Sequence, residues 1–283
     1  MKRSPVFRWV VLGLVALYFL LPMAASVQFS LEGGYGGRLS LTAYSQALAE
    51  PGLGSSLRIS VEVALGAMAI TLALLVPTVV LVNLRLPRWR AVLDAVSLLP
   101  LGVPAVVIVL GVLGAYRSLP NWLTGTPVIL ALVYVVLALP YSYRAIDAGV
   151  RSIDLRTLVD AGRSMGAGWP KLLSRLVLPN VRSGILAAAF LTVALSLGEF
   201  AIASIMGFST FPVWLVGVEG NDPYVAVALS IAALVFTWLL LVVLAFAGSA
   251  RRRRTPGGFG TGLVGPGIES EVLLDSPMPE AMA

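Results

Sequence analysis

Six apolar runs, each about as long as a bilayer is thick, decide what this chain can fold into. A helical span needs roughly 20 mostly apolar residues. Six stretches qualify: about Trp9 to Phe29, Leu57 to Leu84, Ala91 to Tyr116, Pro127 to Ile146, Ile185 to Met206 and Val225 to Gly248. In hydrocarbon every backbone N–H and C=O must be satisfied within the segment, so runs of this kind predict helices and the whole chain an all-α integral membrane protein. Composition agrees, since only 12% of the 283 residues are charged, about half the share of an ordinary soluble domain. The first run has "MKR" ahead of it and "AAS" near its end, but it is too long for the apolar core of a signal peptide and reads as an uncleaved anchor. Pro77, Pro100, Pro104 and Pro140 lie inside runs, where neighbouring helices re-satisfy the freed carbonyls, so kinks rather than breaks are expected.

The basic residues set the orientation. With the amino terminus cytoplasmic, the inner segments hold Lys2, Arg3 and Arg8, then Arg85, Arg88 and Arg90, then the series from Arg144 to Arg182, then Arg251 to Arg254. Only Arg38, Arg58 and Arg117 of the 20 Lys and Arg remain outside. So one-sided a bias predicts both termini inside. The net charge of +6 is therefore spent on topology and lipid contact, and nucleic acid is not an expected partner. The organisation expected is a cytoplasmic terminus at 1–8, a six-helix domain at 9–250 with a long inner loop at about 151–180, and a Gly- and Pro-rich tail at 251–283 that reads as disordered. With no Cys and no His in the chain, thiolate and imidazole chemistry and the usual zinc or haem ligands are excluded, and no cofactor or metal site is expected.

The inner loop "DLRTLVDAGRSMGAGWPKLLSRLVLP", 154 to 179, is the most patterned polar stretch. Leu155, Leu158, Val159 and Gly162 recur at helical spacing, Asp154 suits an amino-terminal cap, Gly166 and Gly168 end the helix, and Pro170 suits the first turn of a second. Two short helices joined by a bend result. Small residues at Ala161, Gly162 and Gly166 permit close approach, while Arg156, Arg163, Lys171 and Arg175 remain free to face water, lipid phosphate or an acidic groove. The residues alone leave open whether this unit lies in the membrane interface or docks a protein.

Residues 160 to 179 resemble the "EAA" loop of ATP-binding-cassette importer permeases: Glu-Ala-Ala, three residues, Gly, nine residues, Ile, one residue, Leu-Pro. Here the pattern reads Asp160, Ala161, Gly162, Gly166, Leu176, Leu178 and Pro179, with spacing kept throughout and Asp, Gly and Leu as departures. "LPLGVPAVVIVLG" at 99 to 111 and "SLGEF" at 196 to 200 resemble the third and fifth spans of that class, so the resemblance covers roughly Leu57 to Gly248. It implies a type I importer permease fold with six transmembrane helices, in a bacterial cytoplasmic (inner) membrane. The loop would be a coupling helix seated in a cytoplasmic ATPase, with Leu158, Asp160, Ala161, Gly162, Met165, Gly166, Leu178 and Pro179 at or supporting the docking surface. The partners implied are an ATPase dimer, a second permease subunit that is related but distinct, an extracytoplasmic solute-binding protein and membrane lipid. The chain has only two lysines, Lys2 and Lys171, neither preceded by glycine, so it lacks a phosphate-cradling loop and is not expected to be an enzyme.

Ionisable residues inside spans point to function by default. Glu199 falls in the middle of the fifth run beside Ser196, and is either a passage-lining carboxylate that favours a cation or a group hydrogen-bonded to a neighbouring helix or subunit. Glu62, nearer the outer end of its run, is a weaker pathway candidate, and Asp94 is expected to pair with Arg90. The outer segment "GFSTFPVWLVGVEGNDP" carries Trp214, Glu219, Asn221 and Asp222 and no base, which suits a binding protein, a cationic solute or a membrane anchor. A stand-alone carrier driven by an ion gradient is the rival class, but it would be expected to bury several titratable groups. Among importers, "LPLGVP", "SLGEF" and "FPVWLV" are most similar to the polyamine branch (spermidine and putrescine), with iron, thiamine, phosphonate, sulfate and molybdate permeases as alternatives.

Overall fold

A computed structural model of the chain describes residues 5–32, 39–115, 118 and 120–250; the expected tail at 251–283 and the first four residues lie outside them. All regular structure among the described residues is helical. The chain divides into two units, Met1–Leu239 and Leu240–Ala283. Of the second, only the helical stretch through Ala250 is described.

The helices are α1 (Pro5–Leu31), α2 (Thr42–Ala49), α3 (Leu53–Arg85), α4 (Arg90–Leu98), α5 (Ala105–Ala115), α6 (Asn121–Thr124), α7 (Val128–Arg151), α8 (Leu155–Ser164), α9 (Trp169–Leu172), α10 (Leu178–Gly198), α11 (Ala201–Ile205), α12 (Phe211–Asn221) and α13 (Pro223–Ala250). Among the described residues four helical stretches are long and apolar enough to cross a membrane, and a fifth if the bent pair Pro87–Gly102 and Ala105–Ala115 is one span. The sixth run lies on α13, a single helix of 28 residues.

Two of the expected spans are interrupted. Proline does more in the third than kink it: α4 gives way to a 3-10 turn at Leu99–Gly102, and the two halves meet at 96°. Pro100 cannot donate to a helical ladder, and Pro104 drives the residue before it out of the helical region. Val103 is accordingly extended, at φ −104° and ψ 120°. Pro77 and Pro140 sit within continuous helices. In the fifth run α10 stops at Gly198, Glu199 is extended, and α11 restarts two residues later. The segment read as an outer loop at 207–224 is mostly helix α12.

Helices α3, α7 and α10 form the centre, and α7 is the most enclosed, with 61% of its apolar window buried against 0% for α1. Tyr143, Ile146 and Val150 of α7 pack with Val79 of α3, Val181 of α10 and, notably, Leu155, Val159 and Leu172 of the α8–α9 segment. A second cluster at the other end joins Val63, Ala67, Leu130 and Tyr134 to Val109 of α5 and Ile202 of α11. Between helices, the Ser142 and Thr192 hydroxyls hydrogen-bond at 2.8 Å, the kind of polar contact that holds spans together where lipid offers no hydrophobic driving force.

The closest backbone approach is between α7 and α10. A methyl group on Gly184 would lie 2.7 Å from the Ala145 carbonyl oxygen and 3.0 Å from the Gly149 Cα. Only glycine fits there, because the obstructing atoms are main chain and cannot rotate away. Gly184→Val is expected to destabilise the chain by about 2 kcal/mol or more through overpacking, read as a lower thermal midpoint in detergent. Gly111→Ala, on α5 with nothing within 4 Å, is the control and should be neutral or stabilising.

Candidate functional site

The polar loop after α7 folds into a two-helix elbow whose ends are both capped. Asp154 accepts from the Thr157 backbone N–H at 3.3 Å and from the Thr157 hydroxyl at 2.6 Å, and these bonds hold its carboxyl below the usual carboxylate range. The cap is thus in place above that range and is lost as pH falls through the lowered value. At the other end Gly166 has φ +76°, its N–H bonds the Arg163 carbonyl at 2.8 Å, and the Ala167 N–H bonds the Gly162 carbonyl at 3.1 Å. That pair of bonds is a Schellman motif, which requires the left-handed residue that glycine supplies. Pro170 occupies the first turn of α9, as its spacing predicted.

Beyond α9 a π-type turn, Leu173–Val177, leads into α10, and Pro179 lies in the first turn of that helix. Proline lacks the N–H that would bond back one turn, and a widened turn is where such a loss is absorbed. The elbow is bound to the helix core rather than hung from it. Leu155 and Val159 are buried, and Gly162 lies against the ends of Leu172 and Leu176, where a methyl would collide with both. Of the other residues singled out by spacing, Leu158 and Leu178 are half-buried, whereas Asp160, Ala161, Gly166 and Pro179 are exposed. Met165 is 78% exposed, unusual for a large apolar side chain at the tip of a polar loop. Leu158, Ala161 and Met165 therefore form one outward face of α8, with the core-facing residues on another.

A charged cluster joins α3, α4 and α7 behind the elbow. Asp147, with 9% of its side chain exposed, accepts from Arg151 Nε at 2.7 Å and lies 3.5 Å from the Arg90 guanidinium. The Asn83 side-chain amide adds a bond at 3.3 Å. Arg90 thus pairs across to Asp147 of α7, and not with Asp94 as the sequence led us to expect. The correction is geometric: a partner on a packed neighbouring helix outcompetes one on the same helix whose side chain points elsewhere. Asp147 was not singled out from sequence, although its spacing of four to Arg151 is a helix ion-pair signal.

Glu199 is not at the middle of a continuous span but at the break. Its carboxylate accepts from the backbone N–H of Ile202 at 2.9 and 3.0 Å and of Ala203 at 3.3 Å, so it caps α11. The Tyr134 hydroxyl of α7 donates to the same group at 3.0 Å. Both oxygens are thereby engaged, and the charge is matched to the positive end of a short helix. Ser196 is buried and donates back to the Thr192 carbonyl at 2.8 Å. Glu62 is half-exposed and ion-paired to Arg58 at 2.7 Å. Among the described residues neither is hydrogen-bonded to Glu199.

At the far end Trp214 donates to the Pro51 carbonyl at 3.1 Å and lies against Gly52, which has φ +90°. Ser60 of α3 accepts from the Phe211 N–H at 2.7 Å, and Asp222 caps α13 by accepting from Tyr224 and Val225 at 3.0 and 3.2 Å. Trp214 and Asp222 are thus structural here, while Glu219 and Asn221 are exposed. Among the described residues no cluster of Asp and Glu has a metal-binding arrangement.

The apolar helices are those of a membrane protein. A family model for binding-protein-dependent transport system inner membrane components matches residues 69–255, and the chain belongs to that family: it is a multi-pass permease subunit of the ATP-binding-cassette importer class, not an enzyme. A comparison with curated proteins returned no match.

The Asp147 cluster generates one expectation. Asp147→Asn leaves two arginines facing each other and should cost on the order of 2 kcal/mol, below the figure for a fully buried pair because Arg151 is half-exposed. A double-mutant cycle with Arg151→Gln, read by thermal unfolding, should show the two losses to be non-additive.

Proposed function

We propose that this chain is one of two related permease subunits that pass a small solute from an extracytoplasmic binding protein to the cytoplasm, with energy supplied by a separate ATPase dimer. In this reading the chain has six spans, α13 serving as the last. Both termini and the elbow are cytoplasmic, and the region around α2 and α12 faces outward. The elbow is the EAA coupling loop. The observation that carries the assignment is its construction: an exposed face at Ala161 and Met165, bordered by half-buried Leu158, on a helix whose adjoining side is built into the α3–α7–α10 core. A lever needs both a contoured free face and rigid attachment to what it moves.

Gly166 tests the coupling role. Leucine there finds open space but must adopt a positive φ, which costs about 1–2 kcal/mol. Gly166→Leu should lower co-purification of the ATPase and transport while membrane insertion persists, and Gly166→Asn, which tolerates the left-handed conformation, should recover much of both. Full docking and transport by Gly166→Leu would refute the coupling assignment.

For the solute we favour a polyamine. The motifs "LPLGVP", "SLGEF" and "FPVWLV" support this reading, as does the absence of bases beside the exposed Glu219 on α12. Glu199 we place at the hinge of the broken fifth span, near the passage but without direct contact with solute, because its oxygens cap α11 and hold Tyr134. The matching binding protein, assayed by calorimetry against a solute panel, should bind spermidine or putrescine. Selectivity for sulfate or molybdate would overturn the polyamine reading and leave the permease assignment standing.

A further inference from the structure

We propose that a cavity between the end of α3 and one side of α8 holds the phosphate headgroup of an anionic phospholipid. The cavity, of about 360 Å³, is lined by Leu84, Arg85, Arg156, Asp160, Arg163 and Trp169 among others. Three arginines and one carboxylate line it, and none of the four is in an ion pair among the described residues. Arg85 and Arg163 both lie over the Trp169 ring, at 4.8 and 5.4 Å from its centroid. Two like charges held on one indole repel each other, and stacking leaves their in-plane N–H groups free to donate. An oxyanion bound in the cavity offsets these like charges and accepts from those donors, in the forked geometry that suits phosphate.

Depth selects the source of the phosphate. Leu84 and Arg85 are the last residues of the long apolar helix α3, so the cavity opens at headgroup level if α3 spans the bilayer. Exposed Leu86 and Trp89, 42% and 59% exposed, follow at once, and tryptophan beside arginine at a span end is the composition of a membrane interface. Of the residues that the resemblance assigns to docking, the cavity takes in Asp160 alone. Arg156, Asp160 and Arg163 share one side of α8, about half a helical turn from Ala161 and Met165, so lipid and ATPase need not compete. The elbow would then rest on lipid on one side and on its partner on the other.

The test uses the full-length chain in a non-ionic detergent, titrated with dioctanoyl phosphatidylglycerol, dioctanoyl phosphatidylcholine or inorganic phosphate and followed by thermal unfolding. Phosphatidylglycerol should raise the midpoint saturably and in a salt-sensitive way, and phosphatidylcholine should not. Arg156→Gln, which removes a charge without touching the Trp169 stack, should weaken the apparent affinity about fivefold, the worth of one arginine at a lipid surface. Asp160→Asn removes the one opposing charge and should tighten it at least about twofold, a sign that a purely structural role would not produce. Equal stabilisation by phosphatidylcholine, unchanged affinity in both variants, or inorganic phosphate binding as tightly as the lipid would overturn the proposal.

Discussion

The contact on which most of this structure depends is the one between two glycines. Gly149 near the end of α7 and Gly184 near the start of α10 bring two backbones together so closely that a single methyl cannot be inserted. In lipid, where apolar side chains gain little by leaving their surroundings, such close packing is a principal source of helix association. Because the contact sits immediately before and after the elbow, it fixes the two ends of that loop relative to each other. The elbow cannot then shift without moving α7 and α10 together.

Rigidity of the elbow itself comes from an independent set of interactions. Its first helix is capped at both ends, its buried side chains belong to the same core as Tyr143 and Val79, and Gly162 lets it lie flush on Leu172 and Leu176. The Asp147 cluster adds a charged tie from α4 to the helix that feeds the elbow. The third run is broken at Pro100–Pro104, whereas the helical stretch Trp169–Gly198 is continuous and stops just before Glu199, which Tyr134 links to α7 by a hydrogen bond.

Local chemistry was legible from the residues wherever the deciding partner lies within a few positions. The Asp154 cap, the helix stop ahead of Gly166, Pro170 at a helix start and the apolar face of α8 all depend on neighbours in sequence, and each is found where its pattern put it. Apolar length alone located the helices of the first, second and fourth runs. Glu199 was found as unusual but its surroundings were not, since nothing within "SLGEF" says that the helix stops there and that the carboxylate turns back to cap its continuation.

What the sequence determined alone, then, is a helical membrane chain with one polar, doubly capped loop, because burial of backbone in hydrocarbon and capping of helix ends are short-range demands that residue type satisfies directly. Tertiary structure decided which charges meet, which glycines matter and which prolines break a span. Arg90 passes over Asp94 for Asp147, Gly184 is indispensable where Gly111 faces open space, and Pro100 ends a helix while Pro140 rides inside one. Each outcome depends on a neighbour far away along the chain, and packing at that distance is set by how whole helices cross, not by any local pattern of residues.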